Sequence, residues 1–190
     1  MTYNYSVYIG RFQPFHNGHM NVMMGGLKIS NNIIIMCGSS NQTRTLKNPF
    51  IYDERKKFIL DSFSKSFQDI IYIEPLEDYG NDIEWVKNVE KKVQKIIKTT
   101  SENKVALIGH TKDDSCYYLK LFKKWKYLEM QNFAQIDATY IRNIFFTEDK
   151  CKIEAILQKL MPKEVLKFML DFMDTKDYQD LLNLYKVQHA

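Results

Sequence analysis

Apolar and polar positions alternate and cluster along the chain in a way that spells out its elements. Tyr5 to Ile9 alternates as a buried first strand does. The segment Met20 to Ile29 is helix-compatible. Ile33 to Cys37 is an unbroken apolar run closed by Gly38-Ser39-Ser40 and predicts a second strand. A polar loop and the Asn48-Pro49 turn follow, then a helix from Tyr52 to about Ser64 with Ile59, Leu60 and Phe63 as its apolar stripe. Ile70 to Ile73 predicts a third strand. In the helix Asp82 to Ile97, residues Ile83, Val86, Val89, Val93, Ile96 and Ile97 recur at helical spacing. Lys104 to Gly109 predicts a fourth strand and Tyr127 to Met130 a short fifth. Asp137 to Phe146 starts another helix with Asp137 as N-cap. From Lys150 on the pattern is helical throughout. Pro162 fits the first turn of the penultimate helix, and Leu181, Leu182 and Tyr185 share one side of a charged last segment, Asp174 to Tyr185.

Strands alternating with helices imply a parallel sheet joined by right-handed crossovers. The predicted fold class is α/β: a Rossmann-like, doubly wound parallel sheet with a helical C-terminal tail. Residues 1–148 are expected to form the domain. Residues 149–190 are expected to pack on it as a helical segment or to act as a linker. In such folds ligands bind at the C-terminal ends of the strands.

Composition narrows the function classes. A chain of 190 residues makes one domain, or one with a tail, and 45% hydrophobic residues are ample for a core. The net charge of +4 is compatible with anionic substrates, and the basic residues are spread over helices without a dense cluster. Nucleic acid is therefore not an expected partner. Cys37, Cys116 and Cys151 have neither a redox nor a zinc spacing and read as free thiols of a reducing cytoplasm. The N-terminus has no signal-peptide pattern and no run reaches the length of a membrane span, so no membrane association is expected. Neither repeats nor low-complexity stretches occur, and homo-oligomerisation stays open.

The chemistry concentrates in Gly10-Arg11-Phe12-Gln13-Pro14-Phe15-His16-Asn17-Gly18-His19, where the first strand hands over to a helix. Helix N-terminal amides at such a junction favour anions. His16 and His19, three apart, share a face once the helix has begun. Two imidazoles and a guanidinium beside these amides make a phosphate-binding set. Gly10 and Gly18 lack a Cβ and let backbone approach a ligand.

This block resembles the GRFxPxHxGH signature of adenylyltransferases in the nucleotidyltransferase superfamily. Three further blocks narrow the resemblance to the nicotinamide-mononucleotide adenylyltransferases: Thr45-Leu-Lys-Asn-Pro-Phe50 with Glu54-Arg55, Asp82-Ile-Glu-Trp-Val86 with Val89, and Ile136-Asp-Ala-Thr-Tyr-Ile-Arg142. The stretch Gly109 to Leu119 and the tail Tyr178 to Lys186 are similar to the adenylyltransferase half of bifunctional proteins that also carry a Nudix hydrolase domain. No glutamate-rich Nudix box occurs in this sequence, so no Nudix hydrolase activity is expected.

The resemblance implies transfer of the adenylyl group of ATP to nicotinamide mononucleotide, giving NAD and pyrophosphate. The attacking phosphate is already anionic, so the reaction needs alignment and charge compensation more than a strong base. Arg11, His16, His19, Lys47 and Arg142 are the expected catalytic groups. Gly10, Phe12, Gly18, Gly109, Thr139 and Arg142 are expected at ATP. Mg²⁺ is expected to be carried by the ATP phosphates, since no carboxylate cluster is built for it and no metal-ligating residue is assigned. Trp85 is expected either to stack a pyridinium ring or to pack in the core. Asn81 and Asp82 either bond the carboxamide or, for Asp82, cap the helix. His110 fits a nucleotide pocket or an unrelated role at the strand end. Arg55 is expected in an ordinary ion pair, Trp125 in packing, and His189 without a role. Asp137 stands where the superfamily motif has Ser. Two other readings remain: a related nucleotidyltransferase with another phosphate acceptor, and a non-catalytic ATP- or NAD-sensing module.

Overall fold

Residues 33 to 37 send side chains to both faces of a sheet, and all of them are buried. That is what a central parallel strand requires, because crossover helices cover both faces. A computed structural model describes residues 2–97, 103–110, 114–131 and 136–189. The side chains of residues 114–117, and with them the thiol of Cys116, lie outside the described residues, as does the 111–113 part of the Gly109 to Leu119 block.

The order along the chain is β1 (Tyr3–Gly10), α1 (Asn17–Ile29), β2 (Ser30–Cys37), α2 (Tyr52–Asp61), the short α3 (Lys65–Gln68), β3 (Ile71–Pro75), α4 (Asp82–Ile97) and β4 (Val105–Gly109). A 3₁₀ helix (Asp114–Leu121), β5 (Lys126–Glu129), α5 (Ala138–Thr147), α6 (Lys150–Leu157), α7 (Lys163–Phe172) and α8 (Lys176–Gln188) follow. The five strands run parallel in the order β3-β2-β1-β4-β5. The order reverses beside β1: β2 and β3 lie to one side, β4 and β5 to the other. The C-terminal ends of β1 and β4 therefore diverge into a crevice, the topological switch point of this fold class.

Two apolar layers sandwich the sheet. Ile33, Ile35, Cys37, Tyr8 and Ile108 face α1, α2 and the helices α5 to α8. Val7, Ile9, Ile34, Met36 and Leu107 face Val89, Val93 and Ile97 of α4, together with Leu119 and Phe122. The expected doubly wound architecture is what the chain adopts. Helices α6 to α8 join the first layer through Ile153, Leu157, Val165, Met169, Phe172, Tyr178 and Leu181, which pack with Phe50, Phe58 and Phe145.

Boundaries differ from the sequence reading in several places. β2 begins at Ser30, directly after α1, because Ser30 and Asn32 find hydrogen-bond partners inside the fold while Asn31 stays exposed. Ser30 Oγ lies 2.9 Å from Ser6 Oγ, Gly26 O and Asn32 O. Neither α3 nor the 3₁₀ helix was predicted, since both are too short for a periodic stripe. Pro162 sits one residue before α7, as its N-cap. Among the described residues no helix is long and apolar enough to cross a membrane.

Candidate active site

The loop from β1 to α1 turns sharply. Phe12 adopts a left-handed backbone, with φ of 54°. Its ring folds back under the strand end and packs edge-on to Tyr8 and His19, with centroids 5.4 and 4.9 Å apart. A Cβ on Gly10 would lie 2.9 Å from that ring. Glycine is thus required at position 10 by Phe12 itself. Phe12 does not line the cleft at the strand ends, contrary to the expectation that it meets ATP.

His16 ends the loop and caps α1. Its Nδ1 accepts from the Gly18 amide at 3.1 Å, and His19 Nδ1 accepts from the His16 amide at 3.3 Å. The pair forms a capping box made of two imidazoles, stacked with centroids 3.7 Å apart. Each Nδ1 is an acceptor, so each neutral ring carries its proton on Nε2. Burial, and then the proximity of His16, holds the His19 pKa well below the ordinary value of 6.5. The start of α1 is also tied to the C-terminal helices: the Asn17 amide donates to Leu160 O at 2.9 Å.

Opposite α1, Asp137 caps α5 as its spacing predicted, accepting from the Thr139 amide at 2.8 Å. Arg142 lies one turn on and is almost fully buried. It donates to Gln13 O at 2.8 Å and to Thr139 Oγ1 at 3.1 Å. Burial lowers its pKa, the Arg11 guanidinium lowers it further, and Asp137 opposes both. Two guanidiniums thus converge closely enough to repel each other, an arrangement that an anion between them relieves.

These groups share one cleft of about 310 Å³ at the switch point. Gly10, Arg11, His16, Gly18, His19, Gly109, Thr139 and Arg142 all line it, as does His110. Lys47 does not: it is exposed on the loop between β2 and α2. The neighbouring Phe50 enters the core instead. Its backbone amide and carbonyl pair with the side-chain amide of Gln13 at 3.0 and 2.8 Å. The first two sequence blocks are therefore bound to each other through Gln13, a contact across 37 positions that no local pattern announces.

A second pocket of about 220 Å³ opens beside the first, lined by Asp78, Tyr79, Asp82, Trp85 and Tyr118. Tyr118 lines both pockets. Trp85 is half-buried and meets Tyr118 and Phe122 edge to face, at 5.4 and 5.8 Å. It packs at the margin of the core and also presents a wall to the pocket. The helix cap is Asn81 rather than Asp82, since Asn81 Oδ1 accepts from the Glu84 amide at 2.9 Å. That contact places Asn81 in the backbone of the site, outside the pocket lining, while Asp82 lines it. Asp78, Tyr79 and Tyr118 escaped the sequence reading. The signal for the first two was their position just past the end of β3.

Arg55 departs most from expectation. It forms no ion pair among the described residues. Arg55 is 1% exposed, and its guanidinium donates to Arg11 O and Gly38 O at 2.7 Å and to Ser39 O at 3.2 Å. Burial lowers its pKa, opposed by nearby Cys37 and Asp78. In turn burial pushes the Cys37 thiol up to about 11 despite Arg55. Trp125 stacks on Phe122, as expected of a packing residue. No group of three or more His, Cys, Asp or Glu side chains is placed to hold a metal ion among the described residues.

A sequence model described as cytidylyltransferase-like matches residues 7–189. The chain belongs to the cytidylyltransferase-like family. It is 38% identical over 189 residues to the nicotinamide/nicotinic acid mononucleotide adenylyltransferase of Acinetobacter baylyi, covering 99% of this chain and 96% of the relative. It is 29% identical over 185 residues to the nicotinamide-nucleotide adenylyltransferase of Saccharolobus solfataricus, covering 95% and 98%. Among solved structures it superposes with a TM-score of 0.84 and 34% identity on a bifunctional NMN adenylyltransferase/ADP ribose pyrophosphatase from Francisella tularensis, crystallised with AMP and a manganese ion. That match covers 98% of this chain and 54% of the other, so the chain spans about half the length of the bifunctional protein. The α/β nucleotidyltransferase fold is common to both.

Proposed function

We propose that this chain transfers the adenylyl group of ATP to nicotinamide mononucleotide, forming NAD and pyrophosphate. The observation that carries this reading is a pair of adjoining pockets with a common wall at Tyr118. One is lined by imidazole, guanidinium and helix-start amides and suits a triphosphate. The other combines Trp85, Tyr79 and Tyr118 with the carboxylates of Asp78 and Asp82, and suits a flat cationic ring. Joining two nucleotides through their phosphates requires such neighbours.

In this reading His16 and His19 offer Nε2–H donors to the phosphates. Arg11 and Arg142 compensate the charge that develops as pyrophosphate leaves. Gly10, Gly18, Gly109 and Thr139 shape the ATP side. Lys47 reaches the phosphates only if its loop folds inward. A divalent cation such as Mg²⁺ would be held by ATP rather than by side chains, since the charged lining of the cleft is mainly cationic, and it would supply charge compensation there. Residues 149–190 act as part of the catalytic domain, through the tie between Asn17 and Leu160.

The test is pyrophosphate release from ATP with Mg²⁺ and either nicotinamide or nicotinate mononucleotide. We expect NAD to form, and kcat/KM to be higher for the nicotinamide substrate, because Asp78 and Asp82 repel an added carboxylate. Nucleotide binding without pyrophosphate release would instead favour a sensing module. Turnover only with a different phosphate acceptor would replace the second pocket's assignment.

A further inference from the structure

Two non-glycine residues among the described ones have a left-handed backbone, Phe12 with φ of 54° and Ser39 with φ of 51°. L-residues rarely adopt that conformation, and it persists where the surroundings over-determine it. Phe12 follows β1 and Ser39 follows β2, so the two turns lie side by side at the ends of neighbouring strands. The carbonyls immediately before them belong to Arg11 and Gly38. Arg55 Nη1 donates to both, at 2.7 Å each. Nη2 adds the Ser39 carbonyl at 3.2 Å. The Gly38 amide also donates to Gly10 O at 2.8 Å, stitching the two strand ends together beneath the guanidinium.

Each turn is linked to a different pocket, the first directly and the second through Asp78. Arg11 lines the cationic cleft. Ser39 Oγ donates to Asp78 Oδ1 at 3.1 Å, and Asp78 lines the aromatic pocket. We infer that Arg55 is the positioning residue that fixes the two substrate pockets relative to each other, by holding both left-handed turns with one guanidinium. This rests on the adenylyltransferase reading for its kinetic consequence but not for its structural one. Arg55 touches neither pocket, so its effect passes through Arg11 and Ser39. A planar fork can take carbonyls from two strands at once, whereas an ammonium on a lysine stem is a point charge that lacks this geometry.

The experiment uses the full chain with Arg55→Lys and Arg55→Met, read by amide hydrogen exchange, thermal melting and steady-state kinetics. Exchange should quicken in residues 10–16 and 38–42 together, while α6 to α8 stay protected. kcat should fall about 100-fold, as misplacement of aligned reactants does, with KM rising for both nucleotides. Exchange that quickens in only one of the two turns, or evenly over the whole chain, overturns the inference. So does a folded Arg55→Met chain with the wild-type kcat. Ser39→Gly supplies an independent check, because glycine needs no help to enter the left-handed region. It should raise the melting midpoint of the Arg55→Lys chain more than that of the wild type, and equal shifts in both would count against coupling. If the wild-type chain forms no NAD, the functional reading fails while the exchange and melting results still decide the role of Arg55.

Discussion

His16 and His19 carry two duties that a simple alanine substitution confounds. Each accepts a backbone amide at the start of α1, and each lines the cleft. His16→Asn separates them, since Asn is among the best N-caps but lacks the Nε2 donor. We expect its melting midpoint to stay near wild type while kcat drops roughly 100- to 1,000-fold. A retained kcat would remove His16 from the chemistry. His19 makes a thermodynamic prediction of its own. Its folded pKa lies below 6.5, so under acid conditions the unfolded chain binds a proton that the native chain refuses. Its contribution to stability is therefore lost as pH falls from about 6.5 toward the folded value. Melting midpoints measured from pH 7.5 to 5.5 should decline more steeply for wild type than for His19→Asn. Parallel curves would mean that His19 titrates normally. For Trp85, replacement by Ala should raise KM for the pyridine nucleotide about 2- to 30-fold, leave KM for ATP near normal, and be partly recovered by Phe. Equal damage to both substrates with early melting would make its packing against Phe122 the dominant role.

Helix α1 delivers the two histidines, and its seating on the sheet depends on how closely it can approach. A Cβ on Gly26 would lie 2.5 Å from Ile108 Cδ1 and 2.9 Å from Ser6 Oγ. Both neighbours are fully buried, so neither can swing away into solvent. Gly26→Ala should cost about 1–3 kcal/mol through overpacking, despite alanine's better helix propensity. Ile108→Val in the same chain removes the clashing methyl and should recover part of the loss. If Gly26→Ala melts as late as wild type, the helix has room to shift and its position is less tightly set than the contacts indicate.

At the level of the molecule, the C-terminal helices complete the core that carries the site. Phe172 packs against Phe50, Phe168 and Tyr178, and the Arg44 guanidinium lies 4.9 Å over its ring. Arg44 also grips Glu54 with two bonds, at 2.7 and 2.8 Å, and reaches Asp177 at 2.8 Å. The loop between β2 and α2 is thereby tied to α8. Phe172→Ala should destabilise the whole chain by about 3–5 kcal/mol in one cooperative transition, followed by circular dichroism. A separate early transition confined to the last helices would instead make them an appended unit. The helical tail was legible as helix from its 3.6-residue periodicity. Its share in the central core was not, because periodicity says that a face is buried and not against what.

Much of this protein follows from the sequence by itself. The runs Tyr5 to Ile9 and Ile33 to Cys37 were legible as strands, and the Asp82 to Ile97 stripe as a helix. The block Gly10 to His19 at a strand end placed imidazole and guanidinium where helix amides already favour anions. Asp137 was recognisable as a cap because its bond is local. What the tertiary structure decided are the contacts between distant positions and the conformations that no residue type demands. Phe12 turns inward because a left-handed backbone folds its ring onto Tyr8 and His19. Gln13 meets Phe50 across 37 positions, and Arg55 meets Arg11 across 44. Tyr118 comes to line both pockets only once the 3₁₀ helix is laid against β1, where its hydroxyl donates to Ile9 O at 3.4 Å. Hydrophobic periodicity encodes the direction in which each side chain is buried. The partner it finds there depends on how separate elements pack, and only the assembled fold contains that information.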